Sequence, residues 1–388
     1  MPKFVDEPGF DHSEMPAVGV LLANLGTPQA PTAKALRPYL RQFLSDPRVI
    51  EVPRVLWWII LNLFVLTTRP KASAEAYASV WADEGSPLYV IAKKQTAAIE
   101  KILQAEVGTP IHVALGMRYG QPAIAKALAE LREKGCRRIL FLPLYPHYSA
   151  TTTASTFDAL AAELMTWRRV PELRSVFGYH DEPAYIRALA DSIREVWTRD
   201  GEPDKLLFSY HGIPLRYFKN GDPYHCLCHK TSRLVAEELG LDRDRYVVCF
   251  QSRFGREEWL QPYTDKTVEA LARAEIGRLD VVSPAFSADC LETLEELEEL
   301  NREFWVEAGG KTEDYRYLPC LNDRPDHVRF LSDLVLRNLQ GWIQTPAEWD
   351  RPVIEAEIAI SRQRAEEMAA AGVEEDAGYG VPARSGES

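Results

Sequence analysis

The chain has 388 residues, 46% of them hydrophobic and 26% charged. That is enough apolar material for one large core or two medium ones, since single cores stop growing near ~250–300 residues. The net charge of −12 excludes the broad basic face that nucleic acid requires, so no nucleic-acid partner is expected. Residues 1–14 are polar and acidic, without an apolar run of signal-peptide length. The six cysteines (Cys136, Cys226, Cys228, Cys249, Cys290, Cys320) are scattered, unlike a compact disulfide scaffold. A cytoplasmic setting is therefore expected.

In chain order, the apolar run VGVLLA (18–23) ends in the turn Asn24-Leu25-Gly26-Thr27-Pro28. The segment VLWWIILNLFVL (55–66) has one polar residue, Asn62. As a helix it covers roughly 18 Å, while a spanning helix needs about 20 apolar residues. It reads either as a buried core helix or as an exposed apolar lip. A helical stretch (93–106) precedes the strand IHVAL (111–115), after which come Gly116 and Met117-Arg118-Tyr119. An arginine at a strand end suits a carboxylate ligand, although ordinary loop packing explains it equally. A second helical stretch (122–134) leads to RILFL (138–142), Pro143 and the aromatic loop around Tyr145, His147 and Tyr148.

The second half repeats this pattern. KLLFS (205–209) ends in Tyr210-His211-Gly212-Ile213-Pro214, YVVCF (246–250) in Gln251-Ser252, and LDVVS (279–283) in Pro284. Strand followed by Gly-x-Pro occurs in both halves, as does strand, proline, aromatic and Ser-Ala. Short buried strands alternating with helices predict an α/β fold of two similar domains with parallel sheets flanked by helices. The active-site cleft is expected between them, at the carboxyl ends of the strands.

Three features carry candidate chemistry. His211 sits on a stiff turn at a strand end, where a neutral imidazole can accept a proton or ligate a metal; a structural turn histidine fits as well. After Ser287, a plausible helix N-cap, the acids Asp289, Glu292, Glu296 and Glu299 fall at helical spacing on one face. They could pass protons or cations, or form a solvated acidic face. Glu292 is the member nearest the cleft. The cluster His225-Cys226-Leu227-Cys228-His229 lacks the spacing of a zinc site and reads as a surface loop. Phosphate-loop, dinucleotide and serine-elbow motifs are absent.

Nine motifs in order then carry a resemblance: LLANLGTP (21–28), FLSDPRVIEVP (43–53), EGSPL (84–88), MRYG (117–120), LPLYPHYSATTTAS (142–155), SYHGIP (209–214), GDPYHCLCHKT (221–231), FQSRFGREEWLQPYT (250–264) and FSADCLETLEEL (286–297). From about residue 18 to 339 the chain resembles the ferrochelatase family. The resemblance implies two Rossmann-like domains, here 16–180, with an apolar lip at 52–68, and 181–327. A closing helix (328–342) and a charged extension (343–388) follow, the extension a solvated helix (352–371) and then an unstructured stretch.

It also implies Fe(II) insertion into protoporphyrin IX to give protohaem. His211 and Glu292 would be catalytic. His211, Glu292, Asp289 and Glu296 would meet the metal, and Ser86, Arg118, Tyr119 and Trp259 the porphyrin. No resident cofactor is expected, Fe(II) being a substrate. Some relatives hold a [2Fe–2S] cluster, using a cysteine in the loop that here has Ala150 and others near the carboxyl terminus; no cysteine follows Cys320, so none is expected here. The implied partners are porphyrin, Fe(II) and, through the lip, a membrane surface. Two alternatives stand: a coproporphyrin chelatase and a porphyrin or haem carrier without catalysis.

Overall fold

The computed structural model describes residues 4–5 and 15–370; the expected unstructured stretch at 372–388 lies outside the described residues. The chain builds two four-stranded parallel sheets. The first contains β1 (Ala17–Thr27), β2 (Ile111–Gly120), β3 (Cys136–Pro143) and β4 (Glu172–Ser175), in spatial order β2–β1–β3–β4. The second contains β5 (Lys205–His211), β6 (Tyr246–Gln251), β7 (Leu279–Val282) and β8 (Tyr315–Tyr317), in order β6–β5–β7–β8. The two halves thus share one topology.

Central strands are apolar because both of their faces are covered. In β1 every residue except Leu25 is buried, and Val20 pairs with Val113 on one side and Leu140 on the other. In β5, Leu207 lies between Val247 and Val281. The edge strands β4 (ELRS) and β8 (YRY) are short and charged. Such edges discourage further strand pairing and carry little periodic signal.

Helices cover the faces. The first half contributes α1 (Ala33–Leu44), α2 (Arg54–Ile60), α3 (Leu66–Val80), α4 (Pro87–Glu106), α5 (Ile124–Glu133) and α6 (Ser155–Leu164). The second contributes α7 (Pro183–Asp200), α8 (Leu215–Lys219), α9 (Tyr224–Leu239), α10 (Thr264–Arg273), α11 (Leu291–Thr293), α12 (Asn301–Glu307), α13 (Pro325–Asn338) and α14 (Arg351–Ala370). α13 begins three residues before the expected 328, with Pro325 in its first turn, where a missing N–H costs nothing.

One apolar cluster joins the sheets. Val20, Leu22 and Leu140 come from the first, Leu206, Phe208 and Val282 from the second, and Leu331 and Val335 from α13. Polar clasps reinforce the junction: Ser149 Oγ and the Ala150 amide both donate to Asp222, at 2.9 and 2.8 Å.

The 55–66 segment has one buried and one exposed apolar face. α2 runs through a wide π turn (Leu61–Val65) into α3. Trp57, Leu61 and Leu66 face inward, while Val55, Trp58, Leu63 and Phe64 are each more than 60% exposed. Among the described residues, no helix is long and apolar enough to cross a membrane.

Candidate active site: a cleft between matching strand ends

In each sheet the strand order reverses beside its first strand, at β1/β3 and at β5/β7. Ligands of open parallel sheets bind at such switch points, and here the two switch points share one cavity. Its wall includes Asn24–Thr27 at the end of β1, Leu144 and Tyr145 after β3, His211–Pro214 at and beyond the end of β5 and Ala285–Ala288 after β7. It encloses about 1190 Å³, counting the open mouth, and its wall is mainly apolar.

Glycines let the chain turn tightly here. Gly26 has φ +104°, and a Cβ there would fall on the Tyr119 carbonyl oxygen. A Cβ on Gly212 would lie 2.9 Å from the Gln251 oxygen and 3.2 Å from Trp259. Only glycine fits at either position.

His211 ends β5 opposite Gln251 and lines the cavity. Its Nδ1 lies 2.7 Å from the Gly212 carbonyl oxygen. A carbonyl only accepts, so Nδ1 carries the proton and Nε2 is left as the basic nitrogen. Trp259 flanks the imidazole with ring centroids 6.5 Å apart, its own indole donating to the Phe254 carbonyl at 2.9 Å. Ser86, 4% exposed ahead of α4, and Glu292, in α11, line the same cavity. The structure therefore brings His211, Glu292, Ser86 and Trp259 together.

Arg118 and Tyr119 lie away from the cavity they were expected to line. The Arg118 guanidinium turns to Asp46 and to Ser155 Oγ (2.7 Å), and the fully buried Tyr119 hydroxyl donates to Asp46 at 2.8 Å. Ser155 Oγ completes the cluster at 2.6 Å. Burial pushes the Asp46 carboxyl up, but the hydrogen bonds from Ser155, the Arg48 amide and Tyr119, with the Arg118 charge, hold it below its ordinary value. The arginine thus meets its carboxylate inside the protein.

The expected acidic stripe along one helical face does not form. Asp289 lies before the helix, whose N-cap is Cys290 and not Ser287. Its carboxylate is committed, accepting from Thr293 (3.0 Å), Tyr317 (2.6 Å) and Asn322 (2.6 Å). Ser287 instead accepts from Gln95 Nε2 at 3.1 Å. Beyond α11 the helix widens into a π run (Leu294–Leu300), so α-helical spacing no longer sets its faces. Glu296 lies behind the wall, accepting from the Ser252 amide (2.7 Å) and from the Ser252 hydroxyl. Burial raises its pKa, offset in part by Ser252 and His211. The expected four-residue metal set does not converge: among the described residues, no three His, Cys, Asp or Glu side chains are placed to hold an ion.

Sequence reasoning missed Tyr77 and Glu295. Tyr77, in α3, lines the cavity without any motif to mark it. Glu295 is pushed up to about 7 by burial first, then by Glu296, Glu299 and Glu292. His147 stands as a second imidazole in the wall. Its Nε2 pairs with Thr231 Oγ1 at 2.8 Å, Nδ1 has no protein partner, and burial, then His180, hold its pKa well below the ordinary value. The His225–His229 stretch opens helix α9 and is not a loop; Cys226 is exposed and Cys228 buried, so the two thiols do not converge on a zinc ion.

Comparison with known proteins places this architecture. A solved structure described as SirB from Bacillus subtilis with Fe3+ shares the fold, with TM-score 0.50 at 11% identity over 84% of this chain and 96% of that one. The ferrochelatase of Idiomarina loihiensis is 56% identical over 340 residues, 88% of this chain and 93% of the relative. That of Thioalkalivibrio sulfidiphilus is 52% identical over 368 residues, 95% of this chain and 99% of the relative. A family model described as Ferrochelatase matches residues 17–339. With its paired sheets, shared cleft and these relatives, the chain belongs to the ferrochelatase family.

Proposed function

We propose that this protein inserts Fe(II) into protoporphyrin IX, releasing two pyrrole protons and forming protohaem. The observation that carries the reading is that His211 and Glu292 both line one largely apolar cavity between the domains. A carrier needs the apolar cavity; it does not need a basic nitrogen and a carboxylate on its wall.

His211 Nε2 takes a pyrrole proton, and the Gly212 carbonyl holds the ring in the required tautomer. Glu292 supplies the carboxylate that faces the macrocycle. Glu296, held by Ser252, is the next carboxylate outward and accepts protons passed from the cleft. Asp289 anchors the helix start and meets no metal. Ser86 and Trp259 bound the porphyrin, while Arg118 and Tyr119 brace the wall from behind. Fe(II) is a substrate and no resident cofactor takes part. The cysteine pattern, with Ala150 in the loop and Cys320 buried, supports a chain without a [2Fe–2S] cluster.

The domains follow 16–180 and 181–327. The protein works in the cytoplasm and rests its lip on a membrane surface, from which an apolar porphyrin is drawn. The same apolar lip favours vinyl-bearing protoporphyrin over coproporphyrin. Mixing the protein with anaerobic Fe(II) and either porphyrin, and following the visible spectrum, tests this. Conversion of protoporphyrin in preference to coproporphyrin is expected. The reverse preference identifies a coproporphyrin chelatase, and binding of both without conversion identifies a carrier.

A further inference from the structure

The His225–His229 stretch takes no part in the chemistry above, yet it walls a second hollow. On α9, Cys226, His229, Lys230 and Arg233 lie three, one and three residues apart and so share a face. Arg243, Tyr246 and Val248 stand opposite. Together these residues bound about 680 Å³, counting the open mouth. Three of them are cationic and none is a carboxylate, on a chain whose net charge is −12.

The cations are not equally committed. Lys230 pairs with Asp181, and Arg233 with Glu237 at 2.7 Å. Among the described residues Arg243 has no carboxylate partner. Its Nη1 donates to the Tyr246 carbonyl at 3.2 Å, and its guanidinium lies 4.8 Å from the Tyr246 ring centre. That leaves most of the planar fork of donors for a ligand. Burial lowers the pKa of His229, and His225 and Arg243 lower it further. The ring is therefore neutral near pH 7 and offers a donor without charge.

We propose that this hollow binds a small anion bearing two or more phosphate or carboxylate groups. A planar guanidinium grips such a group bidentately. A ligand with a single charge meets only one of the three cations at a time, against competition from water and salt. Two linked anionic groups engage Arg243 together with Lys230 or Arg233. The phenol ring of Tyr246 and the Val248 side chain form the less polar wall.

Cys226 reports on occupancy, because it lines the hollow and is the exposed cysteine of the six. The test is iodoacetamide alkylation of the full chain, quantified at Cys226 by peptide mass spectrometry. Sodium pyrophosphate and, separately, citrate are titrated at constant ionic strength. Saturable protection of Cys226 is expected, weakened by about tenfold or more in Arg243→Gln. Haem formation by that variant, assayed without either anion, stays within about twofold of wild type. Protection by pyrophosphate alone marks a phosphate ligand, by citrate alone a carboxylate one, and either supports the site. No saturable protection by either, or equal protection of the variant, overturns it.

Discussion

Glu295 shares a short π run with Glu296, Glu298 and Glu299, and its half-buried carboxyl is raised to about 7. An unfolded glutamate titrates near ~4.3. The native protein therefore holds the extra proton between about pH 4.3 and 7, and stability falls as pH rises through that window. Glu295→Gln should raise the thermal unfolding temperature near ~pH 8 and leave it almost unchanged near ~pH 4. An equal shift at both pH values contradicts the assignment. This residue was illegible because α-helical spacing selects 289, 292, 296 and 299, while the π run resets the faces. His211 was legible because a buried strand, a glycine and a proline around it permit few geometries. Arg118 misled because a strand-end arginine looks the same whether its carboxylate is a ligand or Asp46.

The proposed membrane contact is the exposed face of the 55–66 segment, and its buried face holds the segment to the body of the protein. Trp58 and Phe64 are each 64% exposed, although Trp57 beside them is buried with its indole donating to the Leu44 carbonyl at 2.6 Å. Replacing both, Trp58→Ser with Phe64→Ser, should abolish co-sedimentation with phospholipid vesicles while leaving insertion of detergent-dispersed porphyrin intact; undiminished co-sedimentation would reject the lip as the contact. Below the lip, Asp46 ties the end of α1 to β2 and α6 through Arg118, Tyr119 and Ser155. Asp46→Ala leaves a largely buried arginine unmatched, a change that costs roughly 3 kcal/mol. Urea unfolding should show that loss, and a midpoint within error of wild type would contradict the clasp. The segment's length excluded a membrane span from sequence alone. Which tryptophan faces inward was not legible, because it depends on α1 lying beneath.

For the whole molecule, α13 ties the two sheets into one core, and His327 at its start is fully buried. Burial is the main cause lowering its pKa to about 4. The unfolded chain binds this proton from about pH 6.5 downward and the native state only near ~pH 4, so stability is lost as pH falls between them, by roughly 3 kcal/mol in full. His327→Gln should reduce the loss of unfolding free energy between ~pH 7 and ~pH 4 by about that amount, and an unchanged pH dependence would contradict it. The doubled topology was legible because both halves repeat strand, turn glycine and proline in the same order. The edge strands β4 and β8 were not, since runs of four and three residues hold no periodic signal. In the proposed function the cleft binds porphyrin through its walls and converts it through His211. Porphyrin fluorescence titration paired with an anaerobic Fe(II) insertion assay on His211→Ala tests it most directly. Binding within a few-fold of wild type is expected, with insertion slowed by at least ~10²-fold. Insertion at the wild-type rate, with binding unchanged, would contradict it.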